Sequence, residues 1–329
     1  MTEKSHPANP AQALSLIAAD MQGVDALISQ RLSTGVALVG DVSRYIIAAG
    51  GKRLRPQLLL LCCRALGHTS EHRLTMAAVV EFIHTATLLH DDVVDESTLR
   101  RGLPTANARF GNPASVLIGD FLYSRAFQMM VQVRDMRIMQ VLADATNVIA
   151  EGEVLQLMHM HNADLSEADY LQVIRSKTSK LFEASAQVAA ILASASAPVE
   201  SACATFGQAL GTAFQVIDDV LDYAGDASVL GKNLGDDLRE GKCTLPLIVA
   251  MKLAPPEDAA TIRHAIEKGD VDALQAVANI VKRSGALDAA MVSAQSEIAR
   301  AVGATHHLPP SPFVDCMVEL AQQSLVRSS

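Results

Sequence analysis

The chain has 329 residues, a 50% hydrophobic content with 4% aromatics and no Trp, and a formal net charge of −9. The acidic balance argues against nucleic acid as a partner, and no apolar run reaches the roughly 20 residues that a membrane-spanning helix needs. Cys62, Cys63, Cys203, Cys243 and Cys316 form neither a CxxC pair nor a zinc pattern, and without a signal peptide they read as reduced thiols of a cytoplasmic protein. A core of Ala, Leu, Val, Ile and Met between Gly/Pro clusters suits helices. The expectation is a single all-α domain over residues 1–329, its first ten or so residues disordered.

In chain order, residues 11–49 predict two helices parted near 33–35, with apolar positions recurring at three and four residues. Gly50-Gly-Lys-Arg-Leu-Arg-Pro56 sets three cations beside a Gly pair. That is a short anion site, in which Arg offers forked donors and Lys a point charge. Alone it equally fits a surface basic turn. A short apolar helix over 55–66 and a loop at 67–71 follow. The next helix, from about 72 to 95, is apolar-rich and ends in Asp91, Asp92 and Asp95. Asp91 and Asp95 stand one turn apart on one face, so they repel unless a cation sits between them. Oxygen-only ligands suit a hard ion, and Mg²⁺ binds one or two carboxylates plus substrate phosphates. A lone acidic triplet is more often a solvated helix end.

Residues 97–113 read as a loop that offers Arg100 and Arg101. Helices over about 114–134 and 136–160 follow, with Asp120 and Tyr123 toward polar neighbours and Met129 and Met130 in an apolar stripe. His159 and His161, two residues apart on a helix, point to different sides and do not read as metal ligands. Ser166 is an expected N-cap for a helix to about 196 that carries Lys177 and Thr178. Pro198 starts the next helix, which ends in a second triplet, Asp218, Asp219 and Asp222, with the spacing of the first. The polar stretch 225–246 has the composition of a lid. Four shorter helices are expected to finish the chain, broken at Pro255-Pro256, 268–270, Ser284-Gly285 and Pro309-Pro310.

The two acidic triplets and the Gly50–Pro56 turn together resemble the trans-polyprenyl diphosphate synthases, head-to-tail prenyltransferases, over residues 50–246. The resemblance implies an isoprenoid-synthase-type helical bundle around a deep central cavity. It places Asp91 and Asp95 on two Mg²⁺ ions and Asp218 on a third, three per active site with substrates bound. Asp92, Asp219 and Asp222 would support them through outer-shell contacts. Arg100, Lys177 and Lys242 would hold the allylic diphosphate, with Lys232 as a further candidate. Lys52, Arg55, His84 and Arg101 would hold isopentenyl diphosphate. His84 lies two turns before Asp91 on the same face, although a histidine on an apolar face is by itself more often a satisfied core residue. Thr178 and Gln215 stand where the family stabilises its carbocation, and the departing pyrophosphate serves as the base.

Short-chain members of that family carry aromatics four and five residues before the first Asp. Here Thr87 and Ala86 are small, so a tail could grow toward Phe82, Met129 and Met130. Residues 81–97 and 50–56 look most like bacterial octaprenyl diphosphate synthases, which implies octaprenyl diphosphate made from farnesyl diphosphate for a quinone side chain. A geranylgeranyl or nonaprenyl product is the alternative length. A non-catalytic prenyltransferase subunit would have lost an acidic triplet, and a terpene cyclase would carry a different second metal motif. The resemblance also implies a homodimer. Transient membrane contact for product release is compatible with the sequence, although no basic amphipathic helix supports it.

Overall fold

The computed structural model describes residues 10–48, 50–100, 102–224 and 235–326. The expected disordered start, Arg101, and residues 225–234 of the lid-like stretch, Lys232 among them, lie outside these described residues. The chain is all-α. Its helices are α1 (Pro10–Arg31), α2 (Ala37–Ala48), α3 (Leu54–Ala65), α4 (His72–Val94), α5 (Ala106–Phe110), α6 (Asn112–Val133), α7 (Met136–His159), α8 (Glu167–Ile174), α9 (Lys180–Leu192) and α10 (Ala197–Ala224). After them come α11 (Asp236–Arg239), α12 (Leu245–Leu253), α13 (Pro256–Lys268), α14 (Leu274–Arg283), α15 (Ala286–Ala304) and α16 (Pro312–Leu325).

Four expectations need correction. The stretch 97–113 is more than a loop: β1 (Leu99–Arg100) and β2 (Leu103–Pro104) pair antiparallel, and α5 follows, capped by Thr105. The helix begun at Ser166 is not continuous. Ser166 does accept from the Asp169 N–H, but Arg175–Ser179 forms a π turn between α8 and α9, and α9 stops at Leu192. His161 lies beyond α7 with φ 61°, so the two histidines do not share a helix. The four expected breaks are present, but they separate five helices, α12 to α16, rather than four.

The chain's contacts divide into two compact units. The first comprises Met1–Thr146, Leu181–Gly207 and Val302–Leu320. In it α4 packs against α1, α3 and α6. Residues 58–63 of α3 are all buried, as expected of a helix apolar on every side. Asp20 of α1 ties two neighbouring helices together, accepting from Arg64 of α3 at 2.7 Å and Arg73 of α4 at 2.6 Å. Burial alone would raise the Asp20 pKa, but these hydrogen bonds and charges outweigh it and the pKa is lowered.

The second unit comprises Asn147–Lys180, Gln208–Ala301 and Ala321–Ser329. Its core gathers Ile248 of α12, Ile262 and Ile266 of α13, and Val277 and Val281 of α14 with Tyr170, Val216, Val220 and Tyr223. Pro256 opens α13 and Gly269 closes it in the left-handed region, the usual asymmetry of helix ends.

Candidate active site

In the first unit the accessible edge of α4 is narrow. His84, Thr87, Leu88, Asp91 and Asp95 are half-buried, whereas Phe82, Ile83, Thr85, Ala86, Leu89 and Asp92 are buried. These half-buried residues recur at the helical period and share one stripe from His84 to the acidic end, whereas the half-buried His90 and Val93 lie off it, His90 against Val116, Asp120 and Tyr123. Thr87 lies on this stripe and its hydroxyl donates to the His84 carbonyl at 2.8 Å. Ala86, Phe82, Met129 and Met130 lie in the core, each at most 1% exposed.

Asp91 occupies the last turn of α4 and Asp95 is its C-cap. Two carboxylates there face mutual repulsion and also the negative end of the helix dipole. The middle carboxylate is placed differently. Asp92 is 4% exposed, and its Oδ1 accepts from Arg100 Nε at 2.9 Å and Nη2 at 2.7 Å. The hairpin that the sequence did not reveal is what returns Arg100 to Asp92.

The basic turn separates its cations by role. Arg53 adopts the left-handed region (φ 49°) just before α3 and pairs with the buried Glu81 at 2.7 Å. Arg55 faces elsewhere, with its guanidinium carbon 4.3 Å from the Phe182 ring centroid and Nη1 3.2 Å from His84 Nε2. Arg can only donate, so His84 Nε2 is the acceptor and the ring's remaining proton sits on Nδ1. Lys52 is exposed.

The second unit repeats the arrangement at the end of α10. Asp218 and Asp222 are half-buried, and Asp219 between them is 4% exposed. Asp219 accepts from the Tyr170 hydroxyl at 2.6 Å and from Gln215 Nε2 at 2.8 Å. Burial first, then the Asp237 charge, pushes its pKa up to about 8, against the pull of those two hydrogen bonds. Two donors suit the charged form, which a divalent cation held by Asp218 and Asp222 would also favour. Thr178 donates to Gln215 Oε1 at 2.8 Å.

Lys177 and Thr178 both belong to the π turn, a geometry that often marks functional sites. Gly152 of α7 permits its close approach, because a Cβ there would come within 2.8 Å of the Lys177 nitrogen and the Ser176 Cβ. Lys177 pairs with Glu153, the next residue on α7, at 2.6 Å. Lys242 likewise pairs with Glu240, whose side chain is 9% exposed. Sequence reasoning missed Glu153, Glu240 and Tyr170. Only Tyr170 left a trace, a tyrosine two turns before Lys177.

Among the described residues no three His, Cys, Asp or Glu groups gather into a metal cage. The donors nonetheless fit Mg²⁺, because each outer pair is all-oxygen, half-accessible and at a helix end. That suits an ion that keeps waters and shares its shell with phosphate.

An all-α fold with duplicated acidic helix ends, a cationic turn and lysines near one of those ends defines an isoprenyl-synthase type of protein. The chain matches the Polyprenyl synthetase family model over residues 36–282 and belongs to that family. It is 49% identical to the octaprenyl diphosphate synthase of Escherichia coli over 95% of this chain and 97% of that protein. It is 47% identical to the geranyl-diphosphate-specific all-trans-nonaprenyl-diphosphate synthase of Rhodobacter capsulatus, over 95% and 97%. A Caulobacter crescentus polyprenyl synthase, solved with calcium and isoprenyl diphosphate, superposes with a TM-score of 0.93 at 42% identity over 98% of both chains. The protein is therefore a prenyltransferase enzyme.

Proposed function

We propose that this enzyme extends an allylic diphosphate, farnesyl diphosphate in the first instance, with isopentenyl diphosphate to all-trans octaprenyl diphosphate for a quinone side chain. The observation that carries the chain length is the 49% identity to the E. coli octaprenyl enzyme across almost the whole of both proteins. A nonaprenyl product is the second reading, because the Rhodobacter enzyme is nearly as similar. The whole chain is taken as a single catalytic domain to which both acidic triplets contribute.

Asp91, Asp95 and Asp218 are the carboxylates that would hold three Mg²⁺ ions, with Asp222 in support. Bound there, the metal supplies positive charge to the diphosphate that leaves. Asp92 would act through Arg100, which it orients toward the allylic diphosphate. Lys177 and Lys242 would exchange Glu153 and Glu240 for that diphosphate, and Lys232 would join them. Arg55 with His84, and Lys52 with Arg101, would hold isopentenyl diphosphate. Breaking the allylic C–O bond leaves a carbocation, beside which the Thr178 and Gln215 oxygens place negative dipole ends. The alkene electrons of isopentenyl diphosphate then form the new C–C bond, and the proton lost passes to the departing pyrophosphate.

The enzyme is proposed to be cytoplasmic and to touch a membrane only at product release. No helix among the described residues is long and apolar enough to cross one. It is proposed to work as a homodimer along α6, where Leu117 is 65% and Val131 60% exposed. These lie 14 residues apart, close to one helical face. Incubation with farnesyl diphosphate, isopentenyl diphosphate and Mg²⁺, with products sized by mass spectrometry, tests the reading. The expected product has eight isoprene units. A geranylgeranyl product, or none, overturns it.

A further inference from the structure

One buried hydroxyl outside the residues assigned above meets the second acidic triplet. Tyr170 of α8 is 4% exposed, and its O–H donates to Asp219 Oδ2 at 2.6 Å. The other oxygen of that carboxylate, Oδ1, accepts from Gln215 Nε2 at 2.8 Å. Protein donors therefore hold both oxygens of Asp219. The Gln215 amide faces Asp219 with its nitrogen and Thr178 with its oxygen. The Thr178 hydroxyl donates to that Oε1 at 2.8 Å. Thr178 has one hydroxyl proton, and with that proton engaged its oxygen can only accept. Toward anything else it faces, it presents a negative dipole end.

This inference rests on the reading of Thr178 and Gln215 as the groups beside the carbocation. We infer that Tyr170 is a positioning residue for the reaction: its hydroxyl fixes Asp219, Asp219 sets the Gln215 amide, and Gln215 holds the Thr178 dipole with its negative end toward the developing cation. Tyr170 touches neither substrate nor metal in this scheme. Chains of buried hydrogen bonds polarise one another, so a group at one end can set the dipole at the other. A tyrosine buried only to fill the core would move the melting temperature and leave the turnover number alone.

The test uses the full-length enzyme with Tyr170→Phe, Gln215→Ala and the double variant. Steady-state kinetics are measured with both diphosphates and with Mg²⁺ varied. Tyr170→Phe is expected to lower kcat about tenfold while the KM for each diphosphate and the half-saturating Mg²⁺ stay within about twofold, since only the dipole at the reacting centre is disturbed. The double variant is expected to be no slower than Gln215→Ala alone, because the two act in series. Tyr170→Phe turning over within twofold of wild type while Gln215→Ala is slow overturns the inference and leaves the site reading intact. So do two defects that multiply. Gln215→Ala and Asp218→Ala both retaining full activity overturns the site reading, and the positioning role falls with it. Should Tyr170→Phe not fold, Asp219→Asn breaks the same chain and should give the same loss confined to kcat. A changed Mg²⁺ requirement in Asp219→Asn would instead make it a metal ligand and overturn the inference.

Discussion

Asp92 and Asp219, the middle members of the two triplets, are buried and hydrogen-bonded, whereas their outer neighbours stay half-accessible. One substitution should therefore have different consequences at adjacent positions. Asp91→Asn is expected to cut kcat/KM by about two orders of magnitude or more, as loss of a group serving transition-state charge does. It should leave the metal-free protein as stable as before or about 0.5 kcal/mol more so, because it relieves repulsion at a helix C-terminus. Asp92→Asn should lower stability by about 1–3 kcal/mol, the usual cost of a weakened buried partner, here for Arg100. Thermal melts in a chelator beside steady-state rates check this, and a lower melt for Asp91→Asn than for Asp92→Asn contradicts it. The cations divide similarly. Arg55→Ala should raise the KM for isopentenyl diphosphate more than for the allylic substrate, and Lys177→Ala the reverse. Equal effects on both substrates would show the two pockets to be interchanged.

Among the elements, α4 joins stability to specificity. Its stripe includes Thr87 but leaves Ala86 fully buried, so the two small residues before the acidic triplet are not equivalent. Thr87→Phe should shorten the product toward farnesyl or geranylgeranyl length with the first condensation largely intact. Ala86→Phe should first overpack the core at about 1–3 kcal/mol. Mass spectra and melts of the two single variants separate the effects, and a full-length product from an active Thr87→Phe enzyme would place the ruler elsewhere. At the other end of α4, Asp20 accepts from Arg73 as well as from Arg64 of α3. Its folded-state pKa is lowered, so its contribution is complete above the unfolded value of about 3.9 and disappears as pH falls through the lower folded value. Asp20→Asn should therefore destabilise by about 3 kcal/mol at pH 7, leaving two part-buried arginines uncompensated. The gap from wild type should begin to narrow in melts below about pH 4 and close as pH falls through the lower folded value. A constant gap from pH 7 to pH 3 would rule out the charge as its origin.

For the molecule as a whole, the exposed face of α6 makes association testable. Leu117→Glu with Val131→Glu should turn a dimer into monomers in sedimentation equilibrium, because two desolvated charges oppose burial of that face. Monomeric wild type, or an unchanged dimer in the double variant, removes α6 as the interface. Much of this architecture was legible in the sequence. Long apolar runs gave α4 and α10, and the repeated acidic spacing marked their ends. What escaped depends on contacts between distant residues. Two-residue strands such as Leu99–Arg100 show no alternation to read, and the π turn carries no local signature. Arg53 and Arg55 look alike in sequence, and only the left-handed backbone at Arg53 and its meeting with Glu81 separate them.

The π turn has one more consequence. Regular α-helix advances 100° per residue, so one residue more or fewer within Arg175–Ser179 would rotate everything after it by that angle about the helix axis. The count of residues between Ile174 and Lys180 therefore acts as a phase setting, and not as a spacer. A single deletion there would leave Lys177 and Thr178 in the chain while detuning their azimuth, so that an enzyme retaining every named side chain would still lose the alignment that gives them a use.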